Sequence, residues 1–240
     1  MDIKCSDVSK EAIEWVKKNK NIIIENFCSL KDHPPSQKPF TIFMAGSPGA
    51  GKTEFSKSLI PQLQQRDPEC AIVRVDADEI RGLIPIYKGS NACELQSAAS
   101  IGVEKIIDYV QKHNQNVIID GTFASYSVSY NNVKRAILRN RDVGIFYLYQ
   151  DPILAWDFTQ KREKVDGRNI SKDVFIDAFF KAKENVNAIK YEFKEKIEIN
   201  LIIKNFENGL EKTHFNIKNI DSYLKIDYNS KLLKDKLKNC

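Results

Sequence analysis

A glycine-rich loop between an apolar run and a helix-like segment constrains this 240-residue chain more than any other feature. The loop reads Gly-Ser-Pro-Gly-Ala-Gly-Lys-Thr over residues 46–53. The apolar run Phe40–Ala45 precedes it, and the helix-like residues 53–64 follow it. A Gly-x-x-x-x-Gly-Lys-Thr pattern in a strand–loop–helix context predicts a phosphate-binding loop, because glycines let backbone N–H groups turn inward around a phosphate.

Two residues of the loop carry side chains suited to a nucleoside triphosphate. Lys52 is expected to reach the β- and γ-phosphates, and Thr53 is expected to offer its hydroxyl to Mg²⁺. The loop therefore predicts binding of ATP or GTP with Mg²⁺; the alternative is a glycine-rich turn that binds nothing. The predicted nucleotide-binding residues are Gly46, Ser47, Pro48, Gly49, Ala50, Gly51, Lys52 and Thr53.

Short apolar runs alternate with helix-like segments downstream of the loop. Strands this apolar are typical of a sheet covered on both faces, and alternating β and α segments favour parallel pairing. The sequence therefore predicts an α/β fold with three layers and a parallel five-stranded sheet. The predicted strands are 40–45, 71–75, 117–119, 143–149 and 199–203, and the predicted helices are 53–64, 94–113, 131–140, 153–164 and 171–190.

The chain divides into three parts by its pattern. Residues 7–30 have the spacing of one or two amphipathic helices, and three prolines within 31–39 indicate a linker. Residues 1–39 are thus predicted to be an N-terminal helical appendage and linker, and residues 40–205 a P-loop kinase domain. The Lys- and Asn-rich residues 206–240 are predicted to form an extension with a peripheral helix and a frayed end.

Composition and charge exclude several function classes. The net charge of +5 comes without a compact basic run, so nucleic-acid binding is not expected. The sequence contains no run of about 18 apolar residues, so a membrane-spanning helix is not predicted. The five cysteines are not spaced for zinc, and their odd number argues against a full disulfide set. We therefore expect a protein of the reducing cytoplasm.

Acidic residues follow two of the predicted strands, where ligands of open α/β sheets bind. Asp78 is the first candidate for a base that accepts the proton of an acceptor hydroxyl. Asp76 is the second candidate; it could instead contact the metal, orient the loop or cap the next helix. Asp120 ends the third predicted strand, and either a magnesium-binding role or a substrate contact is open to it.

Two arginines lie between the fourth and fifth predicted strands, within residues 161–171. Arg162 and Arg168 are suited to clamp phosphate oxygens, because a guanidinium presents its donors in a planar fork. A segment of this kind near a phosphate loop is typical of a lid that excludes water. The alternative is ordinary surface charge.

With these motifs in place, residues 40–205 resemble the zeta toxin family of P-loop small-molecule kinases. Residues 46–53 match the family loop, including its proline, and residues 76–81 resemble its Asp-x-Asp-x-Phe-Arg segment. Residues 120–122 resemble its Glu-Gly-Thr, with a Glu sixteen residues earlier, as in the family. Two features depart from the family pattern. Asp120 stands where the family's Glu-Gly-Thr segment has its Glu, and the two lid arginines are closer together in the sequence.

The resemblance implies a function and a set of site residues. Family members phosphorylate a sugar hydroxyl of UDP-N-acetylglucosamine and are held inactive by a helical antitoxin. It implies that Asp78 is the base and that Lys52, Arg162 and Arg168 act on the transferred phosphate. It implies that the acceptor lies against Asp76, Arg81, Glu104, Asp120 and Thr122.

Alternative functions remain open at the level of the sequence. One is a P-loop kinase of another small acceptor, such as a nucleoside, a sugar or an antibiotic. Another is a nucleotide-binding regulatory module that hydrolyses slowly, although such a module needs no base for an acceptor. Residues 7–30 could inhibit the kinase in cis; an amphipathic helix that simply packs on the domain is the more ordinary interpretation.

Overall fold

A six-stranded sheet forms the centre of the fold in the computed structural model, which describes residues 7–205 and 210–237. The strand order is β2-β3-β1-β4-β5-β6. The first five strands pair in parallel, and β6 runs antiparallel to β5. The strands are β1 (Phe40–Ala45), β2 (Ile72–Asp76), β3 (Asn116–Asp120), β4 (Asp142–Tyr149), β5 (Glu198–Asn205) and β6 (Leu210–His214).

The prediction of an α/β fold with a parallel five-stranded sheet is confirmed, with a correction to the strand count. The sixth strand was missed because its sequence, Leu-Glu-Lys-Thr-His, contains no apolar run. An edge strand needs no such run, because only one of its sides pairs with a neighbour. β6 begins five residues past position 205, where the kinase domain was predicted to end, and that predicted boundary stays a prediction.

Nine helices surround this sheet in the described part of the chain. α4 was not predicted, because it follows β2 without a turn. α6 begins five residues before its predicted start, since its first turn is rich in Tyr and Ser rather than apolar residues. The frayed end expected at the C-terminus falls on residues 238–240, outside the described residues. The helices are α1 (Asp7–Lys18), α2 (Lys20–Cys28), α3 (Lys52–Arg66), α4 (Ala77–Gly82), α5 (Gln96–Lys112), α6 (Tyr126–Leu138), α7 (Pro152–Asp166), α8 (Lys172–Phe193) and α9 (Ser230–Lys236).

The two faces of the sheet carry different helices. α3 covers one face, where its apolar side chains pack on Ile42, Met44 and Ile118. The opposite face holds α6 and α8 over the β1, β4 and β5 strands, and α4 and α5 over β2 and β3. Alternate residues of each strand point to opposite faces, so a strand with both faces covered is apolar throughout.

The N-terminal helices α1 and α2 pack on α5. Val16 and Ile23 are fully buried, in a cluster that also contains Val75, Ile80 and Ile106. Gln115, in the turn before β3, donates from Nε2 to the carbonyl oxygens of Cys28 at 2.9 Å and His33 at 2.6 Å. The N-terminal helices are therefore fastened to the body of the fold.

Among residues 7–205 and 210–237, no helix combines the length and hydropathy needed to cross a membrane.

Candidate active site

The phosphate-binding loop lies between the end of β1 and the start of α3, as the sequence predicts. Gly51 has φ of 78° and directly precedes α3, so the first turn of the helix opens towards the loop. Gly49 has φ of 74°, and a Cβ there would overlap the backbone oxygen of Ala155 in α7. The close approach of α7 therefore requires glycine at this position.

The Lys52 ammonium is buried inside the loop, where it donates to the carbonyl oxygen of Ser47 at 2.7 Å. Burial lowers the pKa of Lys52 to about 8, and the positive charge of Arg162 acts in the same direction. The carboxylates of Asp120 and Asp76 oppose this shift of the pKa. A buried ammonium at the start of a phosphate-binding loop is a suitable partner for an anionic ligand.

Asp76 and Asp120 end two adjacent strands and stand opposite each other in the parallel register. Arg74 lies between their side chains: its Nη1 donates to Asp76 Oδ2 at 3.1 Å and to Asp120 Oδ2 at 3.0 Å. The Arg74 side chain is only 8% exposed and also pairs with Glu79. Arg74 thus holds both strand-end carboxylates on the α3 face of the sheet.

Asp76 also caps α4, which is the capping role that its position left open. Its Oδ1 accepts from the backbone N–H of Asp78 at 2.9 Å. The cap fixes the first turn of α4, and with it the backbone of Asp78. This contact makes Asp76 a support for Asp78, whatever else it binds.

Asp120 lies beside the first turn of α3. Its carboxylate is hydrogen-bonded to Thr53, and its Oδ2 lies 3.2 Å from the Ser56 hydroxyl. Burial raises the pKa of Asp120, and the charge of Asp76 adds to the rise, whereas Lys52 and Arg74 lower it. A hydroxyl next to a carboxylate is a donor set that fits Mg²⁺ bound together with a triphosphate.

The Asp78 carboxylate is held between two arginines. Arg81, which is 5% exposed, pairs with Asp78 Oδ1, and its Nη2 donates to Gln96 Oε1 at 2.6 Å. Arg168 of the predicted lid pairs with Asp78 Oδ2. The predicted base and one predicted lid arginine are therefore in direct contact, although they are 90 residues apart in the chain.

The lid, residues 161–171, includes the C-terminal end of α7. It contacts a loop on the opposite side of the site. Arg168 donates from Nε to Asp166 Oδ2 at 2.7 Å, which fixes its guanidinium. A Cβ on Gly89, whose φ is 73°, would overlap the backbone oxygen of Asp166. The loop of residues 87–89 therefore touches the lid backbone, and glycine is required there.

A cavity of about 530 Å³ lies beneath this lid. Its wall includes Thr53 of the phosphate loop, Asp78 of α4, and both lid arginines. Arg162 makes no hydrogen bond within the described residues, and its Nε is buried without a partner. We call this space the phosphate cavity.

A second cavity of about 560 Å³ lies on the other side of residues 76–78. It is bounded by α5, α6 and the segment after β3, and its wall contains Glu104, Asp120 and Thr122. Glu104 accepts from Arg135 Nη2 at 3.1 Å. Ala77 lines this cavity while Asp76 and Asp78 line the first, so the two cavities meet at the start of α4. We call this space the acceptor cavity.

The structure thus places many of the predicted site residues in the walls of two adjoining cavities. Lys52 and residues 46–51 of the phosphate loop line neither cavity. Arg81 also lines neither, but it joins Asp78 to Gln96, which lies in the wall of the acceptor cavity. Sequence reasoning missed Arg74. The signal was present, because an arginine inside the apolar strand Ile-Val-Arg-Val-Asp must find carboxylates to be buried.

Comparisons with known proteins bear on the family and the fold. A model of the zeta toxin family matches residues 24–216. The PezAT chromosomal toxin–antitoxin system of the human pathogen Streptococcus pneumoniae is similar in fold, with a TM-score of 0.57 and 17% identity, covering 86% of this chain and 81% of that chain. The AvrRxo1-ORF1:-ORF2 structure with ATP has a TM-score of 0.61 at 12% identity, covering 89% of this chain and 70% of that chain. No curated protein sequence matches the chain.

Proposed function

The chain belongs to the zeta toxin family of phosphotransferases, and we propose that it transfers the γ-phosphate of ATP or GTP to a hydroxyl of a nucleotide-sugar such as UDP-N-acetylglucosamine. One observation carries the proposal. The phosphate cavity brings together Thr53 of the phosphate loop, the carboxylate of Asp78, and Arg162, whose Nε has no hydrogen-bond partner among the described residues. Phosphoryl transfer requires these three parts in one place: a triphosphate site, a cation for the moving charge, and an acceptor base.

The triphosphate is proposed to bind along the phosphate loop. Lys52 would leave the Ser47 carbonyl oxygen and contact the β- and γ-phosphates, and Arg162 would complete its hydrogen bonds on γ-phosphate oxygens. Mg²⁺ would neutralise phosphate charge, and Thr53 and Asp120 are the residues that would hold it.

Asp78 is proposed to accept the proton of the acceptor hydroxyl. The hydroxyl oxygen then forms a bond to the γ-phosphorus, and the bond between this phosphorus and the β,γ-bridging oxygen breaks to release ADP or GDP. In the structure Arg168 occupies one oxygen of Asp78. A triphosphate would draw Arg168 to itself, because it carries more negative charge than one carboxylate, and this would leave Asp78 Oδ2 free for the hydroxyl.

The acceptor is proposed to occupy the acceptor cavity. Its volume lies within the range of about 300–1,000 Å³ that is typical of small-molecule sites. Thr122, Glu104 and Asp120 would contact the acceptor, and the junction at Ala77 would let its reactive hydroxyl reach Asp78. Arg81 would hold the side chains of Asp78 and Gln96 at fixed positions on the two sides of that junction.

A separate antitoxin chain is a further part of the proposal, since the family resemblance implies one and the similar PezAT structure is a toxin–antitoxin system. Inhibition in cis by the N-terminal helices has less support. Within the described residues, none of 7–39 lines either cavity.

The experiment is a panel of acceptors incubated with Mg²⁺ and ATP or GTP labelled in the γ-phosphate. UDP-N-acetylglucosamine, a free sugar, a nucleoside and an aminoglycoside are compared by product analysis. We expect label in the nucleotide-sugar, and none when Lys52→Ala replaces the wild type. A panel in which no acceptor gains label while ATP is hydrolysed would support the regulatory module instead.

A further inference from the structure

The segment that ends in α9 packs on α7 and α8, the two helices that the lid connects. We call this segment, residues 226–237, the C-terminal strap. Leu233 and Leu237 of the strap are fully buried, in one apolar cluster with Trp156 of α7 and Phe175 of α8. The rings of Trp156 and Phe175 meet edge to face in this cluster, with their centroids 5.2 Å apart. The strap is therefore part of the packed fold at the base of the lid.

A hydrogen bond attaches the strap to the start of α7. The Tyr228 hydroxyl donates to Asp151 Oδ2 at 3.1 Å. The other carboxylate oxygen of Asp151 caps α7, because it accepts from the backbone N–H of Ile153 at 2.9 Å. A cap of this kind fixes the first turn of a helix. Tyr228 thus holds the carboxylate that begins the lid helix.

Two further contacts attach the strap to the start of α8. Lys172, the first residue of α8, donates from Nζ to the carbonyl oxygen of Leu237, and its ammonium lies 5.7 Å from the centre of the Trp156 ring. Lys234 pairs with Asp173 at 2.6 Å. The last carbonyl groups of a helix have no partner within the helix, so the Lys172 ammonium also satisfies the end of α9. One short segment therefore fastens both helices between which the lid runs.

The start of α7 is in contact with the phosphate loop as well. The backbone oxygen of Ala155 lies so close to Gly49 that a Cβ there would overlap it. Arg162 lies two turns further along α7, roughly 10 Å from Ala155 along the helix axis. A tilt at the start of this continuous helix therefore displaces Arg162. Arg168 lies just before Lys172, so the position of α8 bears on it in the same way.

We propose that the C-terminal strap positions the lid arginines: by holding the starts of α7 and α8, it places Arg162 and Arg168 on the γ-phosphate. The inference rests on the proposed function, which assigns both arginines to the transferred phosphate. None of residues 226–237, all of which the structure describes, lines either cavity, so the strap acts through the two helices. ADP lacks the γ-phosphate, so the strap supports the binding of ATP and not that of ADP.

The test compares Kd for ADP with Kd for a non-hydrolysable ATP analogue, each measured with Mg²⁺ by calorimetry. The wild type should bind the ATP analogue more tightly, because the lid arginines add charge-assisted hydrogen bonds to the γ-phosphate. Tyr228→Phe keeps the ring and removes the bond to Asp151, and Leu233→Ala removes an apolar anchor of the strap. In each variant Kd for the ATP analogue should rise about threefold or more, with Kd for ADP unchanged.

The same variants should lower kcat for transfer about tenfold or more, since a small misplacement of groups at the reacting centre costs up to about 10²-fold in rate. The same chain offers a matched control for each variant. Tyr223→Phe removes a hydroxyl from a ring that is 48% exposed, and Leu232→Ala shortens a side chain of α9 that is 41% exposed. Both controls should leave kcat and the two Kd values as in the wild type.

A strap that only stabilised the fold would give a different result. Its loss would lower the folded fraction, and the affinities for ADP and for the ATP analogue would then fall together. Such a parallel loss would overturn the proposal, and so would a wild type that binds both nucleotides equally tightly. Wild-type Kd values and kcat in a folded Tyr228→Phe would also overturn it, even where Leu233→Ala fails to fold.

The titrations involve no phosphate transfer, so their outcome is separate from that of the kinase proposal. The expected change of the ATP analogue's Kd, in a chain that phosphorylates no acceptor, would retain the strap and remove the kinase. Efficient transfer that both strap variants leave unchanged would retain the kinase and remove the strap.

Discussion

At the scale of single residues, Lys52 should give nucleotide binding a dependence on pH. Burial lowers the pKa of its ammonium to about 8 in the free protein. A bound triphosphate raises this pKa again, so the protonated form is the one that binds. As the pH rises through 8, the free protein loses the charge and must take up a proton in order to bind.

The prediction is that Kd for ATP rises about tenfold per pH unit above pH 8, since one proton is taken up on binding. Equilibrium titrations at fixed ionic strength between pH 7 and 10 measure it. Lys52→Ala should bind ATP weakly at every pH, and its Kd should not show the rise above pH 8. A wild-type affinity that stays flat to pH 10 would mean that Lys52 does not contact the phosphates.

A second residue-scale prediction separates chemistry from binding at Asp78. Asp78→Asn should lower kcat for transfer by about 10²–10⁴-fold, the usual contribution of a general base. ATP should bind at least as tightly as in the wild type, because Arg168 loses one of its two carboxylate partners, and the Nη1 group that paired with Asp78 becomes available to the triphosphate. Rapid-quench assays and nucleotide titrations give the two values.

The matched control for this prediction is Asp177→Asn, which alters an exposed pair with Lys181 on α8. It should leave both kcat and the ATP affinity as in the wild type. Full transfer activity in Asp78→Asn would remove Asp78 from the role of base.

At the scale of elements, the contact between the lid and the loop of residues 87–89 should decide how well the site excludes water. Gly89 lies against the backbone of Asp166 with a positive φ, so a methyl group there must push the lid away. An open lid admits water to the γ-phosphate and moves Arg168 from the site.

Gly89→Ala should therefore lower acceptor-dependent transfer and raise ATP hydrolysis without acceptor. The rate of transfer and the rate of hydrolysis are obtained by measuring the release of ADP and of inorganic phosphate. Gly82→Ala is the control, because a Cβ at that position meets nothing within 4 Å. If Gly89→Ala and Gly82→Ala behave alike, the lid does not close on this loop.

The elements also show what a sequence can and cannot predict. The phosphate loop and its flanking strand and helix were predictable, because their signals are local. The partners of Arg74 were not, since Asp120 is 46 residues away and pairing depends on the strand order.

At the scale of the whole molecule, α1 and α2 should act as part of the core. Ile23 is fully buried in the cluster with α5 and β2, whereas its neighbour Ile22 is 51% exposed. Ile23→Ala should reduce the free energy of unfolding by about 2–5 kcal/mol, through lost burial and the cavity left behind. Chemical denaturation measures this loss.

Ile22→Ala, in the same turn, should change stability by no more than about 0.5 kcal/mol. Neither substitution should raise kcat when it is measured below the unfolding transition. A rise in kcat for Ile23→Ala would revive the hypothesis that the N-terminal helices inhibit the enzyme in cis.

The central claim is that this chain moves phosphate to an acceptor rather than to water, and the rate of ADP release with and without acceptor tests it most directly. With Mg²⁺ and ATP alone, the lid over the phosphate cavity should exclude water from the γ-phosphate, so ADP release should be slow. Addition of a nucleoside diphosphate sugar should accelerate ADP release and form phosphorylated sugar nucleotide in equal amounts. ADP release that is indifferent to every acceptor, with all the phosphate appearing as inorganic phosphate, would contradict the claim.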